Sequence, residues 1–221
     1  MKNESLVTLS DPQSQAAEAY RTLRVSLKYA SLDDPLRSLV IAAPALEKGS
    51  DPAVEVAANL AVIMAQAGEQ VILVDADLRR PRLHELFDVP NEDGLPRAIL
   101  ALDGGQPLPL KDTEIDGLQI LTSGNPIPNP ADILSSDKMS LLLVALEKRA
   151  EMVITVAPPV TVAVDAAVLG VKANGFLLAV RSGRTRRDRI EEAKELLTRF
   201  EVNLLGAVLT DVPGGSKILG Y

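Results

Sequence analysis

The chain contains no cysteine and no tryptophan among its 221 residues. Without cysteine, disulfide bridges and thiolate metal sites are excluded. Aromatic residues make up only 3% of the chain, so its core must be built mainly from Leu, Val, Ile and Ala. No apolar run reaches the ~18 residues of a membrane-spanning helix, and no signal-peptide core follows the N-terminus. We therefore expect a cytoplasmic protein.

Positive charge is also scarce, because acidic residues outnumber basic ones and the formal net charge is −7. Nucleic acids and anionic membranes carry the same sign, so we expect no nucleic-acid partner. A chain of 221 residues is long enough for one well-buried α/β domain and short for two. We predict one domain over 1–221, with an N-terminal helix at about 12–30, a core at about 37–212 and a tail at 213–221.

Strand-like and helical patterns alternate along the chain. Strands are predicted at 38–43, 70–75, 118–122, 152–157, 175–180 and 204–209, and the main helices at 52–67, 136–150, 161–172 and 186–200. This alternation is typical of an α/β fold, a parallel twisted sheet with helices on both faces, here preceded by an amphipathic helix. The Gly- and Pro-rich segment 91–129 is predicted to be a surface excursion with a short helix near 96–102.

The most informative stretch is 71–81, where a hydrophobic strand ends in two aspartates and two arginines. Parallel sheets bind ligands at the carboxyl ends of their strands, so these charges lie where phosphate chemistry would take place. Asp75 and Asp77 are either a vestigial metal pair or structural groups. We favour the structural interpretation, in which they cap the following turn or pair with Arg79 and Arg80.

Several separated motifs resemble one family. They are residues 18–24 (Glu-Ala-Tyr-Arg-Thr-Leu-Arg), the strand end at 75–81, residues 123–130, the pair Pro158-Pro159 and the pair Val180-Arg181. In order and spacing they resemble the bacterial tyrosine kinases of capsule and exopolysaccharide synthesis, from about residue 13 to 212. The resemblance implies a P-loop NTPase-like fold of the deviant Walker type. It also implies recruitment to the inner face of the membrane by a protein that controls polysaccharide chain length.

The resemblance has two further implications. A Glu-x-x-Arg-x-x-Arg helix mediates ring-like oligomers in that family, and it maps onto Glu18, Arg21 and Arg24. Their spacing is equally typical of a solvated, salt-bridged surface. The family also ends in a tyrosine cluster that neighbouring subunits phosphorylate. Here the tail offers only Tyr221 as a phosphate acceptor.

The phosphate loop of the family is absent from this chain. Such a loop needs glycines that turn backbone N–H groups toward the phosphates, a lysine, and a hydroxyl that binds Mg²⁺. Alignment on Asn59 places other residues at these positions. Elsewhere Val156 replaces a metal-binding aspartate, and Thr210 replaces the asparagine that contacts adenine. We predict that nucleotide binding is lost and that the chain binds no cofactor and no metal. The altered positions are Ser50, Pro52, Ala53, Val54, Glu55, Val156 and Thr210.

The replacement residues also predict what fills the vacated position. Asp51 followed by Pro52 is a good helix start, with an acidic N-cap and proline at the first helical position. The carboxylate of Asp51 would then accept the N–H groups that otherwise face a phosphate. Glu55, one turn later, adds repulsion toward a triphosphate.

One cluster of basic residues has no assigned role. It consists of Arg184, Arg186, Arg187 and Arg189, which follow Arg181 around a predicted helix start. Arginines there oppose the helix macrodipole, so helix stability does not explain them. They are either a solvated helix start or a contact with an acidic partner or a neighbouring subunit.

Three hypotheses about function follow. The leading one is a catalytically degenerate kinase relative, a homo-oligomeric scaffold or regulator that binds a chain-length protein or an active kinase paralogue. The second is an active tyrosine kinase that binds Mg-ATP through a rearranged loop with Lys48, Ser50, Asp75 and Asp77. The third is a relative of the partitioning ATPases, which the acidity of the chain disfavours.

Overall fold

The strands form a single sheet in the computed structural model, which describes residues 6–30, 35–49 and 51–213. Within these ranges the strands are β1 (Ser38–Ala42), β2 (Val71–Asp75), β3 (Lys111–Asp112), β4 (Leu118–Leu121), β5 (Met152–Val156), β6 (Gly175–Arg181) and β7 (Leu204–Thr210). Their order in the sheet is β3-β4-β2-β5-β1-β6-β7. All neighbours pair in parallel except β3, which is antiparallel to β4. The predicted α/β class is confirmed.

Helices cover both faces of this sheet. They are α1 (Val7–Ser10), α2 (Gln15–Ala30), α3 (Pro52–Gln66), α4 (Leu83–Phe87), α5 (Leu95–Gly104), α6 (Pro130–Ser135), α7 (Asp137–Glu147), α8 (Asp165–Lys172) and α9 (Arg187–Arg199). Side chains alternate along a strand, so β1 sends Leu39 and Ile41 to one face and Val40 and Ala42 to the other. The first face packs against α2, α3 and α4, and the second against α5 to α9. Two apolar cores result.

The N-terminal part of the chain packs on α3. The hydroxyl of Ser14 accepts the backbone N–H of Ala17 at 3.1 Å, so α2 begins at Gln15 rather than near residue 12. Its buried residues are Ala17, Tyr20 and Leu27. No helix within residues 6–30, 35–49 and 51–213 is long and apolar enough to cross a bilayer.

Two local predictions were wrong in part. Segment 91–129 contains the predicted short helix, which is α5, but it is more than a surface excursion, because α5 buries Leu95, Ala98 and Ile99 in the second core. The helix predicted at 161–172 begins only at Asp165. The residues before it form turns instead, with the N–H of Thr161 bonded to the carbonyl of Pro44 and that of Val162 to Pro159.

Candidate functional site

The carboxylate of Asp75, at the end of β2, caps the next helix. Its side chain is buried, and Oδ2 accepts the backbone N–H groups of Arg82 and Leu83, each at 2.9 Å. Leu83 is the first residue of α4. Asp75 therefore satisfies N–H groups that a helix start leaves without intrahelical partners. The predicted capping role is confirmed for this residue.

Asp77 organises the turn that follows. Its Oδ1 accepts the backbone N–H groups of Arg79 at 3.2 Å and Arg80 at 3.0 Å, and its other oxygen lies 3.5 Å from the Arg80 guanidinium. The guanidinium of Arg79 pairs instead with Asp165 at the start of α8, a carboxylate that is 1% exposed. Of the predicted roles of these aspartates, capping is confirmed for both and pairing with Arg80 for Asp77, whereas Arg79 pairs with another residue. Its partner lies 86 residues further along the chain.

The environment of Asp75 favours the protonated form. Burial raises the pKa of this carboxyl to about 7, the negative charge of Asp77 adds to the rise, and the N–H groups of Leu83 and Arg82 oppose it. Near neutral pH a substantial fraction of this carboxyl is therefore protonated.

The loop after β1 ends in a second capping carboxylate. Asp51 has extended backbone angles and its Oδ1 accepts the N–H of Ala53 at 2.9 Å, with Pro52 at the first helical position of α3. The predicted N-cap is confirmed. Burial and the nearby charge of Asp77 raise the pKa of Asp51, while the Ala53 N–H, Arg80 and Arg181 act in the opposite direction.

The residues after Asp51 are packed rather than exposed to a ligand. Pro52 is buried and Ala53, at the position of the family lysine, has no solvent exposure. Val54 and Glu55 are half-buried. Burial and the charge of Asp211 raise the pKa of Glu55. Ser50 lies outside the described residues.

Among the described residues, a cavity of about 90 Å³ lies in front of the α3 N-terminus. It is lined by Ala45, Leu46, Glu47, Gly49, Asp51, Pro52, Arg80 and Arg82. Pockets that hold drug-sized ligands occupy roughly 300–1,000 Å³. A nucleoside triphosphate is larger than such a cavity. The lining contains two carboxylates, Glu47 and Asp51, and two arginines, so size rather than net charge opposes a bound triphosphate.

The ends of three further strands complete this edge of the sheet. Val156 is buried and lies directly beside Asp75 in the β2–β5 register. Thr210, at the end of β7, is buried, and its hydroxyl has no hydrogen-bond partner among the described residues. Arg181, at the end of β6, is 3% exposed. Its Nη1 donates to the carbonyl of Lys48 at 3.4 Å, and its Nε lies 3.5 Å from Asp211.

Two residues make contacts in the site that the sequence analysis did not predict, Arg181 and Asp165. Arg181 fixes the loop after β1 from the neighbouring strand, and Asp165 fixes the turn after β2 from α8. A charged residue placed directly after an apolar strand was the signal for Arg181. Asp165 gave a weaker signal, an acidic residue inside the helix predicted at 161–172.

The predicted oligomerisation residues lie on α2. Arg21 pairs with Glu18 at 2.9 Å and donates to the carbonyl of Pro12 at 2.7 Å. Arg24 pairs with Glu69, in the turn after α3, at 2.7 Å, and both side chains are about a quarter exposed. Arg24 thus has a partner within the chain, and oligomerisation through these residues stays a prediction.

The basic cluster lies around the start of α9 and is solvent-exposed. Arg186 pairs with Asp188, Arg187 with Glu191 and Arg189 with Glu192, at 2.8 to 3.1 Å. Arg184 is exposed beside them, and the contact with a partner stays a prediction. Tyr221 lies outside the described residues. Within those residues, no three His, Asp or Glu side chains form a group that could hold a metal ion.

A parallel sheet with a phosphate-loop position after β1 and carboxylates after β2 defines the P-loop NTPase class of fold. The cell division ATPase MinD of Pyrococcus furiosus shares it, with a TM-score of 0.59 and 21% identity over 78% of this chain and 71% of that one. The kinase domain of Escherichia coli tyrosine kinase ETK is more similar, with a TM-score of 0.86 and 31% identity over 98% and 84%. No family model matches the chain.

Similarity in sequence makes the assignment more specific. Tyrosine-protein kinase YwqD of Bacillus subtilis is 36% identical over 205 residues, which cover 93% of this chain and 85% of that protein. Tyrosine-protein kinase etk of Escherichia coli is 32% identical over 96% of this chain, a region that is 28% of the longer protein. The chain belongs to the family of bacterial tyrosine-protein kinases.

Proposed function

We propose that this chain is a catalytically degenerate member of its family that neither binds nor hydrolyses ATP. The observation that carries the proposal is the bond between Asp51 Oδ1 and the N–H of Ala53. In a phosphate loop, the N-terminal N–H groups of this helix face the phosphates. Here the chain's own carboxylate accepts one of them, and the neighbouring cavity of about 90 Å³ leaves little room for a triphosphate.

Two other features of this edge of the sheet support the proposal. Val156 has no group that could bind a metal-coordinated water, although it lies beside Asp75 where such an aspartate would be useful. The remaining carboxylates of Asp75 and Asp77 bind backbone N–H groups of their own turn. Of the positions that bind the metal in the family, one is thus replaced by Val156, and the other two, Asp75 and Asp77, already bind backbone N–H groups.

The biological role we propose is that of an oligomeric scaffold or regulator in capsular or exopolysaccharide biosynthesis. A relative from Klebsiella pneumoniae is named a putative tyrosine-protein kinase in the cps region, which supports this setting. The partner is a membrane chain-length protein or an active kinase paralogue. Such a partner recruits a cytoplasmic protein to the inner face of the membrane, and Tyr221 accepts phosphate from the paralogue.

The test of catalytic loss is incubation of the purified full chain with Mg-ATP, followed by mass spectrometry of its tyrosines and measurement of ADP. We expect no phosphotyrosine and no ADP above the background without protein. Phosphotyrosine that appears in the native chain and disappears in Asp77→Asn would overturn the proposal. It would support the alternative, a kinase that uses Lys48, Ser50, Asp75 and Asp77.

The oligomer is tested separately by light scattering. Arg21→Glu reverses the charge at the centre of the predicted contact, so we expect it to lower the mass of the assembly. Arg97→Glu makes the same change at an exposed arginine of α5 and serves as the matched control. Equal masses for the native chain and Arg21→Glu would remove α2 from the proposal. Retention on DNA or anionic vesicles at low salt would instead favour a partitioning ATPase.

A further inference from the structure

The two edges of the sheet are protected to very different degrees. Strand β3 consists of two residues, Lys111 and Asp112, both charged. Short, charged edges are a common defence against pairing with another strand. Strand β7 at the other edge has seven residues, Leu204 to Thr210, with neither a charge nor a proline. It is therefore protected neither by shortness nor by charged residues or proline within the strand.

The second half of β7 presents a regular, apolar edge. Leu209 is 62% exposed and Ala207 is also exposed, on the face where α9 packs. A bulge opposite Phe176 and Leu177 interrupts the strand near Leu205, so the regular part runs over residues 206–210. The carbonyl of Thr210 accepts from Ser182 on the β6 side. By alternation, the backbone groups of Ala207 and Leu209 point away from β6.

The charges around the start of α9 oppose the dipole of this helix. Residues 184–189 carry four arginines and one aspartate, whereas residues 191–201 carry four glutamates, one lysine and one arginine. The positive end of a helix dipole is its N-terminus, so the arginines at the start are unfavourable for the isolated helix, whereas Arg199 in its last turn is favourable. The pair Arg187–Glu191 also has the less favourable order of charges along the helix. An antiparallel neighbouring helix with the same charge distribution would compensate for these unfavourable interactions.

We propose that a second copy of this chain docks on β7 about a two-fold axis, with the two β7 strands antiparallel and centred on Val208. Ala207 then lies opposite Leu209 of the second copy, so a small side chain faces a large one. The backbone groups that point away from β6 are the ones that exchange hydrogen bonds in this register. The two sheets become continuous, and no like charges face each other across the paired strands.

The same symmetry brings the two α9 helices together on one face of the joined sheet. Because the axis makes them antiparallel, the basic start of each helix lies beside the acidic half of the other. This charge complementarity and the self-complementary apolar edge both identify the occupant as a second copy. The surface is distinct from Glu18 and Arg21, because α2 packs on the opposite face. It is also independent of nucleotide binding.

The test is sedimentation velocity over a concentration series, in an Arg21→Glu background that removes association through α2. Leu209→Lys places a charge on the paired edge, and Leu141→Lys makes the same change at an equally exposed leucine of α7, 61% against 62%. We expect the background and Leu141→Lys chains to dimerise, and Leu209→Lys to raise the dimer dissociation constant at least about tenfold. High salt weakens the dimer.

A monomer at every concentration in the background chain would overturn the proposal, as would equal dimerisation by Leu209→Lys. Hydrogen exchange of the native edge needs no folded variant. The amides of Ala207 and Leu209 are expected to be protected at high concentration and to exchange faster on dilution. Exchange of both amides that does not depend on concentration would equally contradict the proposal. These outcomes do not depend on whether ATP binds.

Discussion

The loops after β1 and β2 end at the same edge of the sheet but differ in what they have kept. The loop after β1 has replaced the residue types of a phosphate loop, whereas the loop after β2 retains both aspartates. In each case a carboxylate nevertheless binds backbone N–H groups at the start of the following helix, Asp51 that of Ala53 and Asp75 those of Arg82 and Leu83. Retained residue types are therefore poor evidence of activity unless their hydrogen-bond partners are known.

The largest expected effect is the dependence on pH that Asp75 contributes at the loop after β2. The folded pKa of Asp75 is raised from 3.8 to about 7, so the folded state holds a proton that the unfolded state releases. The stability from this group is complete below about pH 4 and is lost as the pH rises through about 7. The loss amounts to at most about 4 kcal/mol. Urea unfolding at a series of pH values measures it.

Asp75→Asn is the control for this titration, because its amide oxygen still accepts the two N–H groups. The free energy of unfolding of Asp75→Asn is expected to fall less between pH 4 and 7 than that of the native chain. If the two pH profiles run in parallel, Asp75 is not the group responsible for the pH dependence. The comparison between the loops then has no support from their electrostatics.

The second contrast is whether the family lysine can be restored. Ala53 has no solvent exposure, so Ala53→Lys forces an ammonium group into a packed position. We expect the free energy of unfolding to fall by about 3 kcal/mol or more, without gain of ATP binding. The matched control is Ala19→Lys on the exposed side of α2, with a change within about 0.5 kcal/mol. A stable, ATP-binding Ala53→Lys would show that the loop is still a phosphate loop.

A smaller effect is expected from the first capping carboxylate. Asp51→Ala removes the acceptor for the N–H of Ala53 and is expected to cost about 1 kcal/mol, whereas Asp51→Ser retains an acceptor and costs less. Thermal unfolding of the three chains measures the difference. Equal stabilities would mean that the bond seen at the start of α3 does not hold the loop closed.

The smallest effect on the free energy of unfolding is expected at a surface ion pair, and the larger effects can be compared with it. Glu18 and Arg21 form a surface pair with side chains 64% and 41% exposed. Glu18→Gln in the dissociated chain is expected to change the free energy of unfolding by less than about 0.5 kcal/mol. A change as large as that of Asp51→Ala would indicate that surface charge, rather than the closed loops, dominates the differences measured here.

Most of the fold could be predicted because its strands are long apolar runs. All six predicted strands lie where the hydrophobic pattern placed them. Strand β3 was missed because Lys111 and Asp112 carry no strand pattern and are defined only by pairing with β4. The start of α8 was misplaced because the bond from Thr161 to Pro44 joins distant parts of the chain. Such contacts leave no local signal.

The candidate site also has a part that could be predicted from the sequence and a part that could not. The Asp51 cap was predictable because an N-cap depends on the adjacent residues alone. The partners of Arg79 and Arg181 were not, because each reaches a residue on another element. Burial around Ala53 and the small cavity also depend on the packed loop rather than on residue types.

Isothermal titration of the full chain with Mg-ATP tests the central claim most directly, with Lys48→Ala titrated in parallel. We expect no saturable heat from either chain, because a carboxylate and a packed loop occupy the position of the phosphates. Low-micromolar binding by the native chain that is lost in Lys48→Ala would contradict the account.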